Sequence, residues 1–353
     1  MKKLLLTLLF TTQFVLANNL NITNVQKNGD NQLTFDVSWD NSWSASTYRD
    51  ASWIFIKYKN SSGQWQHLNI TSATATGFTL YTPDSKGVMI SRATSGQGTV
   101  TGSISIIFNG NILGPLPDFK VFGIEMVYIN QGAFYLGDGT SQGRFHQGND
   151  NTLPYYVQNS NQITTGNTSS DIYSVSGGFL NVIIPATYPT GYDAFYMMKY
   201  ETSIEQYAEF LNTLTPLQQQ NRTRSDLTNI TTVNRFVMAN NSSPYHRNGI
   251  ACNATAVNTA PIDFYCDLNN NSVPNELDDG QNIAANFVTA NDCLAYLEWA
   301  SLRPMTDMEF EKSTRGTASP IAYDIANGTN FFVTTAGITN SGTEKANQLL
   351  ILA

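Results

Sequence analysis

The fold class is decided by Leu33-Thr34-Phe35-Asp36-Val37-Ser38-Trp39, a stretch in which apolar and polar side chains alternate. Such alternation is typical of a β-strand with one face on a core and the other in water. A denser apolar run, Trp53-Ile54-Phe55-Ile56-Lys57-Tyr58, follows it. Neither run has the period of a helix, so the pattern predicts that this part of the chain is built from strands.

Further short apolar runs follow this pair along the chain, and turn residues separate them. The further runs are Phe78–Tyr81, Val88–Ile90 and Ser103–Phe108. The turns are marked by Asn28-Gly29, Ser62-Gly63, Pro83-Asp84, Gly96-Gln97-Gly98 and Asn109-Gly110. Short strands between regular turns predict an antiparallel β-sandwich. Gly114-Pro115-Leu116-Pro117 is typical of a linker, since proline restricts itself and the residue before it. The sandwich domain is therefore predicted to span residues 18–117.

The first 17 residues have the pattern of a secretory signal peptide. Lys2 and Lys3 form a charged start, Leu4 to Leu16 carry no charge, and Ala17 offers a small residue for cleavage. A membrane anchor is the alternative, but the apolar run is shorter than the ~20 residues that a spanning helix needs. The sequence therefore predicts a secreted, periplasmic or cell-surface protein with no membrane span after cleavage.

The composition narrows the function classes. The chain has 353 residues, of which 13% are charged, and its formal net charge is −8. An acidic chain offers no basic surface for phosphates, which excludes nucleic acid as a partner. Aromatic residues make up 12% of the chain, and they need a packed core, which argues against a disordered protein.

The cysteines and histidines leave two questions open. Cys252 and Cys266 can form a disulfide in an oxidising compartment, or all three cysteines, with Cys293, can remain separate thiols. Connectivity does not follow from sequence. The three histidines are isolated from one another along the chain, which argues against a His-rich zinc site; they are His67, His146 and His246.

After the linker the pattern changes to mixed α and β, with three predicted helices. Ser203 with Gln206, and Thr306 with Glu309, have the spacing of capping boxes that begin two of them. The third is predicted over 289–299. The apolar face of the first is formed by Ile204, Tyr207, Leu211 and Leu214. The residues predicted to pack inward from the third are Leu294, Leu297 and Trp299.

Three stretches of this second part follow the order of one known domain. Met126–Gly137 combines a strand with a glycine, aromatic residues and a closing glycine. Phe195–Asn212 contains Lys199-Tyr200-Glu201-Thr202, and Trp299–Gly316 contains Arg303-Pro304-Met305-Thr306. Together these stretches resemble the sulfatase-modifying-factor family, the formylglycine-generating-enzyme-like domain. The resemblance implies an α+β, C-type-lectin-like core over residues 118–353.

The resemblance covers only the front of that domain, from Gly123 to Gly316. Catalytic members place a copper-binding cysteine pair in the later part, and no matching segment follows Gly316 in this sequence. Cys293 precedes the third stretch, so it does not match a family active-site position. No catalytic residue carries over, and copper is not expected in this chain. The apolar ending, Leu349–Leu352, is interpreted as a strand without a partner and favours a C-terminally truncated domain.

Within the third stretch, Arg303 is the side chain with two alternative roles. It can form charge-assisted hydrogen bonds with Glu309 or Glu311 around the capped helix. It can instead line a substrate groove together with Glu309. The structural role is favoured, with Phe310 and Trp299 supplying core area.

A segment with oxygen-bearing side chains at alternate positions predicts a structural calcium site. Its candidate ligands, in loop order, are Asp267, Asn269, Asn271, the Val273 carbonyl and Asp278. This is close to the D-x-[DN]-x-[DN] loop that wraps oxygens around one hard cation. Ser272 replaces the usual glycine, and a polar turn without an ion is the alternative.

The leading functional hypothesis is an exported sulfatase-modifying-factor-like protein without catalysis. One alternative is the front part of a metal-dependent oxidoreductase that acts on a protein cysteine. The other is a cell-surface or secreted binding or adhesion module, because sandwiches and lectin-like cores commonly serve recognition. Fold analogy does not choose between them, and the partner stays unknown.

Overall fold

The computed structural model describes residues 20–109, 119–140, 145–173, 181–227, 235–252 and 260–323, and the backbone of two further strands. The strands of the first half are β1 Asn21–Asn28, β2 Gln32–Ser44, β3 Asp50–Lys59, β4 Trp65–His67, β5 Ile70–Thr76, β6 Phe78–Tyr81, β7 Gly87–Arg92, β8 Gly96–Phe108 and β9 Phe119–Ile129. The strands of the second half are β10 Phe134–Leu136, β11 Tyr155–Val157, β12 Ile163–Thr164, β13 Ile183–Ile184, β14 Phe195–Met198, β15 Ile250–Cys252, β16 Phe264–Cys266, β17 Thr335–Thr339 and β18 Leu349–Leu352. The helices are α1 Ile204–Leu211, α2 Pro216–Arg222, α3 Ala290–Trp299 and α4 Asp307–Arg315. The predicted signal peptide and the Gly114–Pro117 linker lie outside the described residues.

Two antiparallel sheets form the predicted β-sandwich. One has the strand order β1-β2-β8-β5, and the other has the order β14-β9-β3-β7-β6, with β4 also paired to β3. The alternating stretch of β2 behaves as its pattern predicts, because Leu33, Phe35, Val37 and Trp39 are all buried. They pack against Ile54, Ile56, Val88, Ile90, Ile104, Ile106 and Phe108.

Strand β3 is buried on both faces, which explains its dense apolar sequence. Ile54 and Ile56 face the sandwich core, whereas Trp53 and Phe55 belong to a second core that includes the helices. Alternate side chains of a strand point to opposite faces, so one strand serves two cores. The second sheet is therefore the middle layer between the first sheet and the helical part.

The sheet crosses the predicted domain boundary at residues 117/118. Strand β9, assigned by the sequence to the second domain, pairs with β3 along its length, from Asp50↔Val127 to Tyr58↔Phe119. Strand β14 then pairs with β9. Because β9 and β14 extend the sheet of the sandwich, the two predicted domains share this sheet and the second core.

The predicted helix starts are confirmed. Ser203 with Gln206 and Thr306 with Glu309 each form a complete capping box. The third helix is confirmed as α3, with Thr289 and Asp292 as its capping box. Helix α2 was not predicted, although its Thr-Pro start and Gln218 at the third position are a readable signal.

Two predicted core positions are wrong. Leu294 is 50% exposed, because α3 turns Asp292 and Tyr296 toward the interior instead. Phe310 is 54% exposed. It occupies the fourth position of α4, and Met305 precedes the N-cap, which are the two positions of a hydrophobic staple. Such a pair covers the helix start at the surface.

The chain ending also differs from its interpretation as a strand without a partner. β18 pairs antiparallel with β17, from Thr335↔Leu352 to Thr339↔Leu349. The strand itself is confirmed, and β17 pairs with the backbone groups along one of its sides. Within the described ranges, no helix combines the length and the apolarity that crossing a bilayer requires.

Candidate functional site

The structure places the predicted calcium ligands in one surface loop that follows β16. Asp267, at its start, is fully buried. Its Oδ1 accepts the backbone N–H of Asn271 at 3.0 Å, and its Oδ2 accepts that of Ser272 at 3.1 Å. Arg235 lies 2.7 Å from Oδ2 and neutralises the carboxylate. The loop is thus organised around a buried anion that a guanidinium already contacts.

The other predicted ligands stay close to one another. The Asn269 Oδ1 accepts the Asn271 N–H at 2.9 Å, and the Asn271 Oδ1 accepts the Val273 N–H at 2.7 Å. Asn269 also donates its amide to Asp278 at 3.0 Å. Each carbonyl oxygen has two lone pairs, so a single N–H leaves one open for a cation.

Two carboxylates near this loop were not predicted as ligands. Asp279 is fully buried, and burial together with the charges of Asp267 and Asp278 raises its pKa. Glu276 accepts an amide hydrogen bond from Asn271. Despite this crowding, no group of three or more His, Cys, Asp or Glu side chains in the described part of the chain has metal-binding geometry.

The cysteines do not form the possible disulfide. Cys252 on β15 lies opposite Phe264, and Cys266 on β16 lies opposite Ile250, so the two thiols are diagonal neighbours. Diagonal positions are ~7–8 Å apart, beyond the usual Cα separation of a disulfide. Both side chains are buried in the second core. Cys293 is exposed on α3.

The Arg303 side chain makes the contacts with Glu309 that the structural alternative predicts. It makes two parallel hydrogen bonds to Glu309, at 2.7 and 2.6 Å. Glu309 is 2% exposed and also accepts the Thr306 N–H at 3.0 Å. Glu311 instead contacts Arg315 at 3.0 Å. This bidentate pair fixes the start of α4.

A buried polar junction connects β3 with the end of α3. The Trp53 indole donates to the Ala300 carbonyl at 2.8 Å, and the Lys57 ammonium donates to the Trp299 carbonyl at 2.6 Å. These bonds satisfy carbonyls that a helix end leaves open, and the cation suits the negative end of the helix dipole. Burial lowers the pKa of Lys57 to about 8.

His67 completes this junction and makes it sensitive to acid. Its Nδ1 lies 3.1 Å from the Lys57 ammonium, and its Nε2 lies 2.5 Å from the Lys86 carbonyl. Nε2 therefore carries the proton and Nδ1 accepts from Lys57. Burial and the adjacent lysine charge lower the pKa of His67 to about 4.

We expect the stability of the protein to fall between pH 6.5 and pH 4. In this range the unfolded state binds a proton at His67 that the folded state does not, so acid favours unfolding. After allowance for solvent screening the loss is ~2 kcal/mol. Urea unfolding of the wild type and of His67→Gln across this range measures it. An equal decline in both proteins would contradict this assignment.

The turn at Tyr245–Asn248 is the one place in the described part of the chain where two adjacent non-glycine residues both have positive φ angles. Its two central residues, His246 and Arg247, have φ angles of 48° and 65°. The Asn248 N–H donates to the Tyr245 carbonyl at 3.0 Å, as in a type I′ turn. Such turns favour Asn-Gly, because other residues are strained at positive φ. Nothing in the sequence pattern singled out this turn.

Aromatic and basic groups surround the strained turn. The Phe287 ring lies 6.0 Å from that of Tyr245 and 6.2 Å from that of His246, and Phe287 itself has a φ of 60°. The Arg224 guanidinium lies 5.6 Å above the same ring. Tyr245 is 48% exposed. We call Tyr245, His246, Arg247, Phe287 and Arg224 the turn patch.

Asn248 and Asn286 hold the turn patch in place. Asn248 is 1% exposed and donates its amide to the Asn286 side-chain oxygen at 3.0 Å. Asn286 in turn donates to the His246 carbonyl at 2.8 Å. These hydrogen bonds stabilise the unfavourable backbone conformation of the turn. A strained backbone conformation persists only when the contacts around it offset its cost.

Comparisons with known proteins leave the family open. No family model matches the chain. No curated protein matches it either. A solved structure from a study of Streptococcus parasanguinis adhesion by Fap1 fimbriae is 18% identical, with 40% of this chain and 75% of that chain covered and a TM-score of 0.20. The pilus backbone RrgB from Streptococcus pneumoniae is 8% identical, with 51% and 71% covered and a TM-score of 0.17. Structural similarity with TM-scores this low supports no conclusion about function. The fold identifies the chain only as a protein of mixed α and β structure that is rich in antiparallel sheet.

Proposed function

We propose that this chain is an exported recognition module and that the turn patch is its binding site. The observation that carries the proposal is the pair of adjacent non-glycine residues, His246 and Arg247, in the left-handed conformation at the surface. Residues in such conformations cost ~1–3 kcal/mol each and cluster at ligand-binding sites. In a solvent-exposed turn without a binding role, we would expect Asn-Gly at these two positions, because those residues adopt positive φ angles with little strain.

The chemistry of the turn patch suits a ligand that is both flat and anionic. Arg224 is exposed, and the Nε of Arg247 is enclosed without a hydrogen-bond partner in the described part of the chain. Guanidinium groups bind carboxylates with paired hydrogen bonds. The rings of Tyr245 and Phe287 offer faces for apolar C–H groups. We therefore propose a carboxylate-bearing saccharide as the ligand class.

The experiment replaces both strained residues by the preferred turn sequence, as His246→Asn with Arg247→Gly. We expect the free energy of unfolding to rise by ~1 kcal/mol, because the strain is relieved. We also expect binding of trigalacturonic acid to weaken at least ~10-fold, because a guanidinium is lost. Urea unfolding and calorimetric titration measure the two effects.

Two controls separate the site from the rest of the surface. Tyr81→Ala removes another tyrosine that is 60% exposed, on β6, and should leave binding unchanged. The methyl ester of trigalacturonic acid lacks the charge and should bind weakly to every variant. Equal binding of acid by the wild type and the Asn-Gly variant would contradict the proposal.

A specific observation keeps the formylglycine-generating-enzyme-like, lectin-like core as a second proposal. The three stretches that resemble that family meet in space: Met126 pairs with Met198, and the Phe210 and Trp299 rings lie 5.5 Å apart edge to face. The Gly137 N–H donates to Glu311 at 3.2 Å. These contacts support a shared framework. In this proposal the chain has that framework without catalysis.

A further inference from the structure

A partly buried lysine with two carboxylates lies where three strands of the middle sheet run side by side. Asp50 begins β3, Glu125 belongs to the adjacent β9, and Lys199 directly follows β14. The Lys199 Nζ is 3.4 Å from the Asp50 Oδ2 and 3.5 Å from the Glu125 Oε2. The side chains are 17%, 1% and 12% exposed, in the order Lys199, Asp50, Glu125.

The hydrogen bonds of Asp50 distinguish its two oxygens. Oδ1 accepts the Ser42 hydroxyl at 2.9 Å and the Trp43 backbone N–H at 3.0 Å. Oδ2 accepts two longer bonds, from the Trp39 indole at 3.3 Å and from the Lys199 ammonium at 3.4 Å. Two donors aimed at one oxygen are the arrangement that stabilises developing negative charge in acyl transfer.

We propose that Lys199 and Asp50 form an intramolecular amide bond, with Glu125 as the proton carrier. Glu125 takes a proton from the Lys199 ammonium and passes it to the Asp50 Oδ2, and the freed nitrogen lone pair then attacks the Cγ of the neutral acid. A C–N bond forms, and the negative charge collects on Oδ1, where Ser42 and Trp43 hold it. Proximity of the reacting groups in a fixed geometry supplies much of the rate.

The step balances without any further reactant. Two of the three ammonium protons pass to Oδ2, carried by Glu125, and the C–Oδ2 bond breaks to release water. The third proton stays on the amide nitrogen. An ammonium and a carboxylate thus become a neutral amide and one water molecule, with no oxidant or reductant. The product also removes the desolvation penalty of a buried ion pair.

Peptide mapping of the full chain by mass spectrometry tests the bond. Trypsin cleaves after Arg49 and Lys57, so residues 50–57 form one tryptic peptide. We expect this peptide to be joined to residues 145–222, because trypsin does not cleave after a lysine whose amine forms an amide, with a mass lower by one water molecule than the sum of these two peptides. Recovery of the two peptides unlinked from the folded protein would overturn the proposal.

Two variants and an internal control sharpen the result. Lys199→Arg keeps the charge and Glu125→Gln keeps both reacting groups, and each should yield separate peptides. Undiminished linkage in Glu125→Gln would overturn the role of Glu125. Lys120 and Glu209 are the control: their charged atoms are closer, at 2.6 Å, but their side chains are 33% and 39% exposed. No link is expected there, since water competes for both groups.

Discussion

Replacing Trp53 by Ala is expected to lower the free energy of unfolding by ~5 kcal/mol. Trp53 is 2% exposed and belongs to the core shared by the middle sheet and the helices. Truncating a buried tryptophan leaves a cavity that costs ~3–5 kcal/mol. The Ala300 carbonyl also loses the indole hydrogen bond, which adds ~1 kcal/mol.

Urea unfolding measured by circular dichroism gives this loss. Trp65→Ala is the matched control, because Trp65 is a tryptophan on the neighbouring strand β4 but is only half-buried. Its replacement should cost ~1 kcal/mol or less. Two separate unfolding transitions in the wild type, with only one affected by Trp53→Ala, would contradict the single shared core.

Replacing Arg235 by Met is expected to cost ~3–5 kcal/mol. The variant leaves Asp267 fully buried and without its guanidinium partner, which is the costly way to break a buried ion pair. The double variant Arg235→Met with Asp267→Asn removes the unpaired buried charge and should recover most of the lost free energy of unfolding. Thermal and urea unfolding of both variants measure the difference.

The same variant tests the proposed calcium loop. A cation that binds the loop oxygens would replace the missing guanidinium, so added calcium should raise the melting temperature of Arg235→Met and a chelator should reverse the rise. The double variant lacks the carboxylate and should not respond. An unchanged melting temperature of Arg235→Met in excess calcium would contradict the proposal that this loop binds a structural calcium ion.

Local signals were enough to predict the helix starts and the strands. Ser203 and Thr306 form their capping boxes with residues three positions away, so the outcome depends on neighbours in sequence. The alternation of Leu33 to Trp39 likewise depends only on which face meets a core. The start of helix α2 has the same kind of local signal, Thr215 followed by Pro216.

The errors concern faces and partners rather than elements. Leu294 and Phe310 lie on correctly predicted helices but point to solvent, because the orientation of a short helix is set by what packs against it. On α3 that partner is the sheet, with Trp299 against Phe55 at 5.0 Å. Sequence spacing alone carries no information about such a partner.

The positions of the candidate site residues were even harder to predict from the sequence. His246 and Arg247 are ordinary polar residues in an Asn-rich stretch, and their strain comes from hydrogen bonds to Asn286, 40 residues away from His246. Lys199 and Asp50 are separated by 149 residues and meet only because β14 and β3 flank β9. Such contacts depend on strand order.

The sequence by itself determined that this protein is a strand-rich chain with capped helices and an acidic surface, because these properties follow from alternation, spacing and charge. Only the tertiary structure decided that β3 serves two cores and that both predicted domains share one sheet. The physical reason is that a strand pairs through backbone groups that every residue carries, so its neighbours are chosen by the packing of distant side chains.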